Sequence, residues 1–230
     1  MEGILFFLRW IHFLAGVTWI GILYYFNFVQ TPFFAETEAA VRTGAITKLV
    51  PRALWWFRWG AMFTFLAGIS MYLIKWHQTG SLFLSQSYGV TITLGGLMGT
   101  IMFLNVWLVI WPAQQVVIAS ANQVAGGGQA LPDAAARGRR AALASRTNTV
   151  FSIPMLFLMG AASHYSLVGS GGGAPAFWIL SLIIIAAVEV NALVGTQGAT
   201  KKPLDSVSGA LWFGFILTAV FYLLSIGLMS

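Results

Sequence analysis

Residues 178–188 read WILSLIIIAAV, a continuous apolar run with one serine in it. In hydrocarbon every backbone N–H and C=O must be paired within the protein, which only helices and closed barrels achieve. Barrel strands alternate apolar and polar side chains, and this run does not. The stretch is therefore read as a membrane-spanning helix, and the class as all-α.

The rest of the chain agrees with that solvent. Over 230 residues it is 58% hydrophobic and 8% charged, with a mean hydropathy of +0.82, too few polar groups to cover a soluble globule. Six stretches reach the ~20 residues that a helix needs to cross the bilayer core: about 3–29, 54–75, 88–112, 148–168, 174–196 and 208–229. The expectation is a single membrane domain over 1–230, a six-transmembrane-helix bundle.

A net charge of +6 raises the possibility of nucleic acid, but the cations sit at span ends and argue against it. Arg42, Lys48 and Arg52 follow span one, Arg137, Arg139, Arg140 and Arg146 follow span three, and Lys201 and Lys202 follow span five. Only Arg9 and Lys75 lie toward the other side. The positive-inside rule then puts those loops in the cytoplasm and both termini outside, in the periplasm for a protein of a bacterial inner membrane. The N-terminus MEGILFFLRW has no positive n-region or small-residue cleavage site and is read as a retained first helix.

Three breaks have local signals. Residues 36–52 read as an interfacial connector ended by Pro51, and 113–147 as a long break with a basic helix starting at Pro132 and Asp133. GSGGGAP (169–175) reads as a flexible outer turn. The tryptophans fall mostly near span ends, as aromatic belts do, and Gly95 and Gly99 make a small-xxx-small face suited to a close helix contact.

The chain has no cysteine, which excludes thiolate metal sites and covalently attached c-type haem on these residues. Histidine is then the side chain left to hold a redox metal. With ~1.5 Å of rise per residue, His12 lies roughly 14 Å and His164 roughly 8 Å below the outer face, and His77 follows span two at that face. Gly16 and Gly160 each lie one turn deeper than their histidine, on the same helix face, leaving room beside the imidazole for a flat macrocycle. The expected site is therefore haem b with His12 and His164 as iron ligands and Arg9 on a propionate, against the alternative of two histidines bonding across helices. Zinc or copper would want a third close ligand, for which only His77 is at hand.

Glu189 is the one acidic side chain deep in a span, at a level similar to Asn105. An intramembrane carboxylate is costly and marks a candidate site. It reads either as a structural group, protonated or paired with Arg58, or as a proton relay.

RWIHFLAGVTWIG (9–21), NVWLVIWPAQQVVI (105–118) and RTNTVFSIPMLFLMGAASHY (146–165) together resemble the membrane domain of the bacterial membrane-bound urate hydroxylases, the urate oxidase N-terminal domain. The resemblance covers roughly residues 8–168, with the last two spans matching only as hydrophobic helices. It implies a urate-oxidising membrane protein that passes electrons to a C-terminal cytochrome c domain, although no CxxCH occurs in this sequence. It also makes His12 and His164 motif histidines, and places Asn105, Trp107, Pro112 and Gln114 in the middle motif.

Three functions are carried forward. One is a haem b redox subunit exchanging electrons with a c-type cytochrome or a partner subunit. Another is an enzyme oxidising urate or a related small molecule. The third is a non-catalytic membrane accessory subunit of a larger complex.

Overall fold

The computed structural model describes residues 1–167 and 175–229, so the glycine-rich turn expected at 169–175 lies almost wholly outside the described residues. The described residues are helical and contain no strand. Seven helices are named here: α1 (Glu2–Glu36), α2 (Ala39–Lys48), α3 (Val50–Thr79), α4 (Ser87–Ala125), α5 (Ala134–His164), α6 (Pro175–Leu193) and α7 (Val207–Met229). Short 3-10 turns follow α3 at Gly80–Ser85 and α6 at Ala199–Leu204.

Five of these, α1, α3, α4, α6 and α7, are long and apolar enough to cross a membrane, which marks a multi-pass membrane protein. The expected fourth span does not meet that measure of apolarity. It forms the second half of α5, a 31-residue helix whose middle is buried on every side between α4, α7 and the remaining helices. Arg146, Thr147, Asn148, Thr149 and Ser152 are all buried there. A helix facing protein all round can carry polar groups that a lipid-facing one cannot, because neighbouring helices supply their partners.

The breaks also differ from expectation. Instead of a break over 113–147, α4 runs on to Ala125 and α5 begins at Ala134 behind Asp133, leaving only 126–133 outside helix. Pro51 does not end the connector but opens α3, at a position where its missing N–H costs nothing.

Two turns are widened to π-helix, Tyr25–Gln30 in α1 and Asn105–Ile110 in α4. A proline stands two residues beyond each, Pro32 and Pro112. Proline offers no N–H and its ring crowds the carbonyl four residues back, so the helix passes it by loosening the turn before it. In α1 the loosened carbonyl of Phe26 accepts from the Thr31 hydroxyl at 2.7 Å.

Close helix contacts are made where side chains are absent. A Cβ on Gly60 of α3 would stand 3.1 Å from the Trp19 nitrogen of α1, and one on Gly95 of α4 would stand 3.1 Å from Met159 Cγ of α5. Gly99 faces Met155 of α5, so the Gly95–Gly99 face is the close contact expected of it. Gly214 of α7 lies against the Val150 carbonyl of α5, which Pro154 cannot serve as a helical donor.

At the basic end of the bundle the C-terminus of α6 is capped by cations. Arg140 donates to the Leu193 carbonyl, Lys201 to that of Val194 at 2.9 Å, and Arg139 to that of Thr196 at 3.1 Å. Helix C-termini leave carbonyls unpaired and carry partial negative charge, so cations belong there. The basic helix expected from Pro132 and Asp133 thus turns Arg139 and Arg140 toward the end of α6.

Candidate functional site

The two histidines read as one iron site occupy different environments. His12 on α1 is half-buried against α3, its Nδ1 2.8 Å from the Thr64 carbonyl. A carbonyl only accepts, so Nδ1 carries the proton and Nε2 of the neutral ring keeps its lone pair. The space beside Gly16 is taken by Thr64, whose Cγ2 would stand 3.8 Å from a Cβ there. His164 is exposed at the end of α5 and lines a shallow groove of about 730 Å³ with Gly160, Phe215, Thr218 and Tyr222. That groove contains only α5 and α7 residues, together with Tyr165 just beyond α5, and no residue of α1 or α3. Gly160 does open onto free space.

Among the described residues the two imidazoles thus have separate surroundings, His12 between α1 and α3 and His164 in the groove between α5 and α7. Among the described residues, His12 has its ring orientation and tautomer fixed by the Thr64 carbonyl. Arg9 and His77 are both exposed, Arg9 on α1 and His77 close to the end of α3.

Glu189 and Asn105 are brought together. Asn105 Nδ2 donates to Glu189 Oε2 at 3.1 Å and to Asn148 Oδ1 at 3.0 Å, and Asn148 Nδ2 donates to the Met102 carbonyl at 2.9 Å. The pair between Glu189 and Arg58 is not formed. The Arg58 guanidinium lies 3.9 Å from the centroid of the Trp111 ring and within reach of Trp59 and Trp107, where a flat, weakly hydrated cation is held by indole faces.

The most chemically distinctive place lies one layer toward the basic end, between the two widened turns. A cavity of about 180 Å³ is lined by Asn27 and Gln30 of the first π-turn, Ile110 of the second, Gln114, and Ser145 and Arg146 of α5. Arg139 and Asp205 stand in the same wall, ion-paired at 2.8 Å. Asn27 is fixed by two donations, to the Leu23 carbonyl at 2.8 Å and to Ser145 Oγ at 2.8 Å.

Arg146 is 6% exposed and has no carboxylate within ion-pair distance. Its Nη2 makes one long contact, 3.5 Å to the Asn27 carbonyl, and its Nη1 has no partner among the described residues. The acceptor Gln30 Oε1 is likewise buried without a partner. Buried charges are paired almost without exception, because leaving one unpaired costs several kcal/mol. Arg146 and Gln30 both line this cavity.

Sequence reasoning placed Arg146 among the topology-setting cations and at the head of the third motif, with no role of its own. The signal was present in RTNTVFS (146–152), four polar residues and an arginine in seven positions just where a span was expected. YFNFVQTP and NVWLVIWP, each an asparagine ahead of a proline, marked the two turns that line the cavity.

No curated protein and no solved structure matches this chain. A family model described as Urate oxidase N-terminal matches residues 85–224, from the start of α4 through most of α7. The match takes in the last two helices, which the motif resemblance had reached only as hydrophobic segments, and leaves out RWIHFLAGVTWIG. Asn105, Arg139, Arg146, Asn148, Glu189 and Asp205 all fall inside it, and His12 falls outside. With more than half of its length matched, the chain belongs to the Urate oxidase N-terminal family.

Proposed function

We propose that the chain is the membrane module of a urate-oxidising system and that it holds the urate anion in the cavity between the two π-turns. The observation that carries this reading is the buried, unpaired guanidinium of Arg146. Urate at neutral pH is a flat monoanion whose edge alternates carbonyl oxygens with ring N–H groups. Arg146 and Gln30 both line the cavity, so a guanidinium donor for such an oxygen and an amide acceptor for such an N–H are at hand, the pairing that charge-assisted recognition uses. At about 180 Å³ the cavity suits a ligand smaller than a drug-sized one. On the positive-inside reading it opens toward the cytoplasm. Electrons released on oxidation then pass to a partner protein, for which the family resemblance implies a c-type cytochrome.

The test is urate binding to the purified chain in detergent, followed by intrinsic tryptophan fluorescence. Arg146→Met is expected to weaken binding at least about thirtyfold, the ~2 kcal/mol lower end for truncating one partner of a buried charge pair. The same variant is expected to melt no lower than wild type, since replacing a buried unpaired charge by an apolar side chain is neutral or stabilising. Unchanged urate affinity in Arg146→Met would remove this cavity as the substrate site.

A second reading is favoured by one contact. The His12 to Thr64 hydrogen bond presents Nε2 as a free ligand nitrogen, as in a haem held by one histidine. A reduced-minus-oxidised visible spectrum of the purified chain tests it, with loss of a b-type signal expected in His12→Ala and retention in His77→Ala.

A further inference from the structure

Three charged side chains line the cavity between the π-turns, and their bookkeeping is uneven. Arg146 stands deep and unpaired, while Arg139 and Asp205 form the ion pair in the same wall. Two guanidiniums against one carboxylate leave a single uncompensated positive charge. The pair is also held in place. Arg139 donates to the Thr196 carbonyl at 3.1 Å as well as to Asp205 at 2.8 Å, and Leu204, next to Asp205, is buried in the same wall. Asp205 therefore stays with Arg139 and makes no ion pair with Arg146, although it lies near enough for its charge to be felt there.

We propose that Asp205 is a specificity-determining residue: by neutralising Arg139 it leaves the cavity with one free positive charge and so selects a flat monoanion over neutral or doubly charged molecules of similar size. This rests on the reading of the cavity as the substrate site. The physical reason is that charges brought beside the buried Arg146 interact more strongly than in water, while the Arg139–Asp205 pair, with side chains 35% and 49% exposed, contributes a smaller, partly screened share. A neutral ligand leaves Arg146 uncompensated. A dianion brings one charge for which no cation in the lining is free. Specificity of this kind comes as much from what is repelled as from what is attracted.

The experiment measures affinities of the purified full chain in detergent for three probes, urate as the monoanion, hypoxanthine as a neutral purine and pyridine-2,6-dicarboxylate as a flat dianion. Wild type is expected to bind urate at least about tenfold more tightly than either of the others. Asp205→Asn frees the Arg139 charge at this partly exposed pair, and the dianion should gain about threefold relative to urate. Arg139→Met acts the other way, leaving Asp205 against Arg146, and hypoxanthine should gain relative to urate. Asp133→Asn makes the same change in net charge at an exposed pair with Arg137, outside the cavity lining, and should leave all three ratios as in wild type. If wild type binds urate but neither Asp205→Asn nor Arg139→Met alters the ratios, charge selection by Asp205 is wrong while the cavity reading stands. If wild type binds urate no better than the other two, both are wrong.

Discussion

The side-chain amides of Asn27 and Asn105 do the same work in two different helices: each starts in a proline-widened turn and reaches α5, Asn27 to Ser145 Oγ at 2.8 Å and Asn105 to Asn148 Oδ1 at 3.0 Å. The central helix is thereby gripped from both sides in successive layers. A third tie, one turn further on, joins Tyr24 to Ser152 at 2.9 Å; since Ser152 donates to the Thr149 carbonyl, Tyr24 is the donor.

Asn148 is the most committed of these groups, using both its amide oxygen and its amide nitrogen. Asn148→Ala leaves the Met102 carbonyl short of a partner and Asn105 with one fewer acceptor. Both keep another partner, Asn105 in Glu189 and the Met102 carbonyl in the Asn105 backbone N–H, so the variant is expected to cost about 1–3 kcal/mol, from about 0.5–1.5 kcal/mol for each hydrogen bond lost. Ser70→Ala, an exposed hydroxyl that only bonds back to Leu66, is expected to change the melting point little. Thermal melts in one detergent decide it.

Gly214 and Gly227 both lie in α7 and predict opposite outcomes. A Cβ at Gly214 meets Ile153 and stands 3.0 Å from the Val150 carbonyl, so Gly214→Ala is expected to push α7 off α5 at about 1–3 kcal/mol. Nothing stands within 4 Å of a Cβ at Gly227, so Gly227→Ala gains helix propensity, up to ~1 kcal/mol. Equal melting points for the two variants would contradict the packing described.

The Arg58 site predicts a difference between two similar cations. Its guanidinium is stacked on Trp111, with Trp107 and Trp59 around it. Arg58→Lys keeps the charge but loses the flat face, and is expected to cost about 0.5–2 kcal/mol and to change tryptophan fluorescence. An unchanged emission spectrum would mean the indoles do not sense that side chain.

Lys201 predicts a pH dependence. Burial, and then the nearby charges of Arg140 and Arg139, hold its ammonium below the usual lysine value of 10.5. The unfolded chain therefore binds more protons than the folded one in the window below that value, and stability should rise with pH there. Lys201→Met is expected to flatten that rise in melts taken between pH 8 and about 10.5.

The sequence by itself determined the solvent, the helical class and most of the helices, because each rests on a local property. WILSLIIIAAV is a helix for hydrocarbon whatever surrounds it, and a proline after a helical run loosens or ends that helix in any context. Asn105 and Glu189 were singled out at a common level from rise per residue alone, and they meet at 3.1 Å.

Azimuth and partner choice were decided only by the tertiary structure. Depth along a helix put His12 and His164 at similar levels, yet one turns toward α3 and the other toward α7, and no one-dimensional pattern states which neighbour a face receives. Arg146 looked like one cation among several at a span end. Only the packing of α1, α4 and α5 shows it to be buried, without a counter-ion and facing a cavity, because burial of a charge is a property of everything around it.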